Sequence, residues 1–210
     1  MKKILSVLIF LLVFPIIGLA DSTHWKTYRF PTHPEYIFAF PSTYHVLYEE
    51  MPEDAPALSF LGITTEKAEQ ILQFNSAFVL AYTDDFSSFV CVSSFANSEA
   101  DGFDFRDLTD NELEFLKDYY ANSIYDIFSE TGCTIKNANV SVFKTDYTSF
   151  IKTAHDLQLG TQIIPQIQYF TVFDGCDLII SFTPTANNEL SPYTEEVDWI
   201  VQNFIPLNPQ

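Results

Sequence analysis

Four histidines, three cysteines and 28 aspartates and glutamates are the side chains of this 210-residue chain best suited to chemistry, and their spacing limits what they can do. His24, His33, His45 and His155 are scattered. Neither His-x-x-x-His nor Cys-x-x-Cys occurs, so no metal site is expected. Cys91, Cys133 and Cys176 are odd in number, which excludes a complete disulfide framework. Cys91 sits inside SFVCVSSF, and Cys176 alternates with Leu178, Ile180 and Phe182, so both read as small apolar residues on strands. A single Cys133–Cys176 bridge is permitted in an exported protein but is not required by the spacing. Six glycines leave no phosphate-cradling loop, and there is no Gly-x-Ser-x-Gly elbow. No cofactor is expected.

Two chemical alternatives stay open. A pair of carboxylates assembled in space needs no local motif, so a hydrolase of envelope polysaccharide is one alternative function. The other is a weak calcium-binding module. Asn97, Glu99, Asp101 and Gly102 take the first, third, fifth and sixth positions of an EF-hand-like loop, but Leu108 stands twelfth, where a bidentate Glu is required. An acidic surface loop is the expected reading. Asn139-Val140-Ser141 spells a glycosylation sequon inside an expected strand.

The elements that must position any site are organised around one helix. Thr109 followed by Glu112 forms a capping box, and Gly132 supplies the stop. Leu113, Leu116, Tyr120, Ile124, Ile127 and Phe128 recur at helical spacing and predict a buried stripe. Phe115 and Tyr119 fall on the opposite face with Asp118, Asn122, Asp126 and Glu130. Exposed, these two aromatics would be a candidate partner contact. The expectation is that the preceding loop covers them through Phe103 and Phe105.

Around this helix the chain reads mostly as strands. Tyr36–Phe40 is stopped by Pro41, a short strand follows near Tyr44–Tyr48, and the acidic stretch Glu49–Pro56 marks a loop. A short helix capped by Thr64 or Thr65 turns Ala68, Ile71 and Leu72 inward. Two apolar strands, Ser76–Thr83 and Phe86–Phe95, make a hairpin, and the first is apolar on both faces, so it is expected to be central. Thr134–Lys144 and Tyr147–Leu157 form a second antiparallel pair. Asp174-Gly175 is the strongest hairpin signal, because both turn positions need φ > 0. Ser191-Pro192 opens a last helix with Val197, Ile200, Val201 and Phe204 as its inner stripe, which Pro206 ends.

Met1–Ala20 carries two lysines, an apolar run from Ile4 to Ile17 and a Gly-Leu-Ala end, the pattern of a secretory signal peptide. The protein is therefore expected to be secreted or extracytoplasmic. Retention by an uncleaved N-terminal anchor is the alternative, although the run is shorter than the roughly 20 residues that span a bilayer. Residues 21–35 read as an N-terminal arm and 36–210 as a single domain. Removing the signal takes Lys2 and Lys3 with it and moves the formal charge from −18 to −20. So acidic a surface repels phosphate backbones and anionic bilayers, which excludes nucleic acid and anionic membranes as partners and leaves proteins or envelope components.

The run Phe38-x-Phe40-Pro41-x-x-Tyr44-x-Val46, followed by a hairpin, a long central helix, two further hairpins and a C-terminal helix, resembles the PsbP/DcrB-like superfamily. The resemblance spans roughly Tyr36–Pro206. It implies an α+β fold, a central antiparallel sheet of about six to eight strands flanked by one long and two shorter helices. Members include an extrinsic photosystem subunit and a nuclear import factor that binds a small GTPase, so it also implies a binding or assembly module and not an enzyme. No functional residue transfers from it. The function expected is an exported, non-enzymatic binding module of the cell envelope or extracellular space.

Overall fold

Successive side chains of a strand point to opposite faces, so the alternation of burial along each strand decides the layering. The computed structural model describes residues 25–30, 35–97, 102–129, 133–185, 190 and 194–207. In chain order these residues form β1 (Trp25–Phe30), β2 (Glu35–Pro41), β3 (Tyr44–Tyr48), α1 (Pro56–Leu61), α2 (Thr65–Asn75), β4 (Val79–Thr83) and β5 (Ser88–Ala96). A 3-10 turn at Phe105–Asp107 leads into α3 (Asp110–Ser129). Then come β6 (Thr134–Lys144), β7 (Ser149–Leu159), β8 (Gln162–Phe173), β9 (Cys176–Pro184), α4 (Thr194–Gln202) and β10 (Ile205–Leu207). The signal read at Met1–Ala20, the stop at Gly132 and the start at Ser191-Pro192 lie outside the described residues.

The architecture is the expected α+β one. A seven-stranded antiparallel sheet runs in the order β3-β4-β5-β9-β8-β7-β6, and a small sheet runs β1-β2-β10. Tyr36, Phe38 and Phe40 of β2 are fully buried and pack with Val197, Ile200 and Val201 of α4 onto one face of the large sheet. The other face carries the remaining helices. There α1 and α2 cover Leu47, Leu80, Phe89 and Cys91, while α3 covers the β6–β8 end. The doubly apolar β4 is covered on both sides, with Val79 and Ala81 facing the small sheet and Leu80 facing α2. It nevertheless stands second from an edge, and β9 is the central strand.

Local signals account for most boundaries. Asp174 and Gly175 both have positive φ, 50° and 68°, and close a two-residue hairpin with Phe173 opposite Cys176. Thr64 caps α2 through its hydroxyl, 3.3 Å from the Lys67 amide. Asn137, at φ 52°, marks an irregularity in the register of β6, which kinks this outermost strand and makes it a poorer template for edge-to-edge pairing. No disulfide joins the three cysteines: Cys91 and Cys133 are buried and Cys176 is half-buried. Burial pushes the Cys91 thiol up to about 11.

Two boundaries differ from expectation. Pro56 does not sit in a loop but opens α1, where its missing N–H is no loss, and Gly62 ends that helix at φ 65°. Pro206 does not end α4, which stops at Gln202; it lies inside β10 opposite Tyr36. A strand of three residues carries too little pattern to be read from sequence, and it forms because β2 offers it a free edge.

Candidate functional site

The capping box of α3 is present. The Thr109 amide donates to Glu112 Oε2 at 2.8 Å, the Thr109 hydroxyl donates to the same oxygen at 2.7 Å, and the Glu112 amide lies 3.4 Å from Thr109 Oγ1. The Thr109 hydroxyl, followed by its backbone amide, holds the Glu112 carboxyl below the usual range. Thr109→Ala removes one half of this box and is expected to lower stability by about 1 kcal/mol in a urea titration, with the m value unchanged.

The inner stripe is explained by packing. Leu113, Leu116 and Tyr120 meet Phe105, Ile151, Val172 and Phe170, while Ile124 and Phe128 meet Cys133, Ile135 and Leu157. Tyr120 stacks on Phe170 at 6.1 Å between ring centroids.

The outer face is the correction to the sequence reading. Phe115 is 70% exposed and Tyr119 is 64% exposed, so the preceding loop does not cover them. The reason is where that loop goes. Phe105 is 2% exposed because it enters the core beneath α3, edge-on to Phe170, and Phe103 packs against Phe105. Asp104 fixes this path by accepting from the Arg106 amide at 2.8 Å and pairing with its guanidinium at 2.8 Å, while Arg106 lies over the Phe173 ring. The loop is thus anchored on the sheet side of α3, and the aromatics on the far side stay in water.

The helical repeat of about 100° places Phe115, Tyr119, Asn122 and Asp126 in one narrow arc, with Asp118 beside it. All five are exposed, as is Tyr125 on the flank. Asp110, Glu112, Glu114, Asp118 and Asp126 outnumber the single lysine within α3; Lys117 is paired with Glu114 and with Asp118 at 3.4 Å, and Lys144 of β6 with Asp110 at 2.6 Å. The result is an acidic helix face with apolar rings at its centre, suited to a cation that also offers a hydrocarbon stem.

Other titratable groups meet in ways that no local spacing announces. His45 stacks on Phe60 at 3.5 Å between centroids and bonds Asp84 at 2.6 Å. On α4, Asp198 accepts from the Lys152 ammonium and the Tyr169 hydroxyl, and Glu196 accepts from Tyr44 at 2.7 Å. Trp25 stacks on Trp199. The carboxylates of Glu35, Glu112, Asp85 and Asp104 are all displaced downward. Arg29 lowers Glu35 and Thr109 lowers Glu112, while in Asp85 and Asp104 hydrogen bonds outweigh the upward push of partial burial. A general acid needs the opposite displacement. Of the calcium-loop positions, Asn97 bonds the Asp177 carboxylate at 3.1 Å, and Glu99 and Asp101 lie outside the described residues.

Among solved structures, the chain is similar to the solution structure of cyanobacterial PsbP (CyanoP) from Synechocystis. The two share 11% sequence identity and a TM-score of 0.54 over 91% of this chain and 97% of that one. The chain therefore has a PsbP-like fold. No family model matches it, and no curated protein does.

Proposed function

We propose that this protein is a non-enzymatic binding or assembly module, acting outside the cytoplasm in the cell envelope or extracellular space, which docks a basic protein segment on the outer face of α3. The observation that carries this reading is the exposure of Phe115 and Tyr119 on a helix whose inner stripe is already fully employed. Two large rings left mostly in water contribute little to folding, whereas aromatic anchors in a polar surround are where binding energy concentrates. The charge selects the partner: arginine or lysine side chains would meet the carboxylates through their heads and the rings through their stems. The PsbP-like fold supports the class of binding module.

A synthetic peptide of arginines spaced by alanines is the direct probe, titrated calorimetrically against the full chain. Binding is expected at low salt and should weaken as ionic strength passes about 0.1 M, where the Debye length falls to about 10 Å. Replacing Phe115 and Tyr119 together by alanine should weaken it at least about tenfold, while Phe95→Ala, at another exposed ring, should leave it unchanged. Equal affinity in the wild type and the double variant would place the contact elsewhere.

A further inference from the structure

We infer that the seating of the C-terminal half of α3 on the sheet is governed by the protonation of His155, so that mild acid loosens that half and, with it, the Asn122 and Asp126 end of the docking face. The consequence for docking rests on the function proposed above, whereas the device itself stands on the packing beneath α3.

His155 projects from β7 toward α3, in the same row as Ile151, Thr153 and Leu157. It is 2% exposed, and the ring of Phe128, in the last turn of α3, rests 5.5 Å from it at 55°. Among the described residues neither ring nitrogen makes a hydrogen bond of good geometry, and the same holds for Thr153 Oγ1, which is 1% exposed. Gln166 stands opposite His155 on β8 and is the one polar side chain that opposes the effect of burial on the imidazole, but its amide is oriented by two other partners. Its Nε2 donates to Thr183 Oγ1 at 3.1 Å, and its Oε1 accepts from Gln168 at 3.0 Å.

A neutral imidazole leaves one weak donor and one acceptor unmet in this setting. An imidazolium would leave two strong donors and a full charge, which costs far more. The surrounding groups offer little compensation. Phe128 and Ile124 come from α3 with the Tyr120 phenol, Ala138 and Val140 come from β6, and the Cys133 thiol completes the cluster. Asp156, next in the chain, turns to the other face of the sheet, stands opposite Lys136 and is bonded by Asn137 at 2.7 Å. The carbonyl end of α3 favours a cation only modestly, by less than burying one costs.

Burial accordingly pushes the imidazole from 6.5 down to about 4, against smaller opposing effects of Gln166 and Asp156. The sign follows from the depressed value. The opened form binds more protons than the closed form between these two values, so the stability due to a neutral His155 is complete above about pH 6.5 and is lost as the pH falls toward 4. With these values, acidifying from pH 7 to pH 5 multiplies the opened population about twentyfold. Opening begins in the C-terminal half of α3, because that half rests on the small cluster touching His155, whereas the N-terminal half is tied by the capping box and Phe105.

The test is amide hydrogen exchange of the full chain at pH 7 and pH 5, corrected for intrinsic rates, in the wild type and in His155→Leu. Amides of residues 121–129 in the wild type should lose about twentyfold of their protection on acidification, while those of α2 lose much less. In His155→Leu the difference should vanish. Equal acid losses in the variant and the wild type would overturn the inference, as would equal losses in α2 and α3. Should His155→Leu fail to fold, an NMR titration of His155 in the wild type decides the matter, a midpoint near 6.5 overturning it. Peptide affinity at pH 7 tests the docking face independently, so failure of one reading leaves the other standing.

Discussion

Replacing Phe204 by alanine is expected to destabilise the protein by about 3–5 kcal/mol. The residue follows α4 and is fully buried where the two sheets meet. Its ring centroid lies 5.5 Å from Tyr36, 5.0 Å from Phe38 and 5.8 Å from Phe150, so it touches β2 on one side and β7 on the other. Those neighbours are held by their strands and cannot close over the space left by a ring, so the cavity cost adds to the lost transfer energy. A drop in melting temperature on the order of 10 °C should accompany it for a chain of this size. A loss below about 1 kcal/mol would mean that the small sheet is held to the large one by other contacts.

Asp198→Ala should cost about 2–3 kcal/mol, a charge effect where the first is a packing effect. This carboxylate ties α4 to the sheet through the Lys152 ammonium and the Tyr169 hydroxyl. Lys152 Nζ lies 5.5 Å from the Phe143 centroid and 5.4 Å from that of Tyr169, in a site that is mostly but not wholly dry. Burial first, and the adjacent carboxylate second, hold the Tyr169 phenol far above its ordinary range, so it stays a donor at working pH. Removing the acceptor strands both donors, while the partial exposure of Asp198 keeps the cost below that of a fully buried pair. Adding Lys152→Met to Asp198→Ala should recover part of the loss, because it removes the stranded charge and leaves only the Tyr169 hydroxyl without its acceptor. A double-mutant cycle in urea measures this, and additive losses would show that the pair is not coupled.

Together these contacts describe a molecule whose two sides have different duties. The α4 side is knitted by buried aromatics and an ion pair. The α3 side rests on two smaller clusters and a neutral histidine, and it presents its polar face to the surroundings. A helix that rests on two small clusters can loosen locally without disturbing the larger core on the α4 side.

What the sequence determined by itself was local. The Thr109–Glu112 cap, the Asp174-Gly175 turn, the period of α3 and the double apolarity of β4 are each encoded within a few residues, because caps, left-handed turns and amphipathic stripes are short-range physics. The resemblance carried by Phe38–Val46 and by the order of elements also anticipated the α+β class. The tertiary structure decided what depends on residues far apart. It put β9 at the centre by pairing Ser88–Ala96 with Cys176–Pro184, and it drew the three residues of β10 onto β2. It sent Phe105 beneath α3, leaving Phe115 and Tyr119 largely in water, and it buried His155 beneath the ring of Phe128. Whether a ring is covered or a histidine is partnered depends on which distant segment reaches it first, and no window of neighbouring residues contains that information.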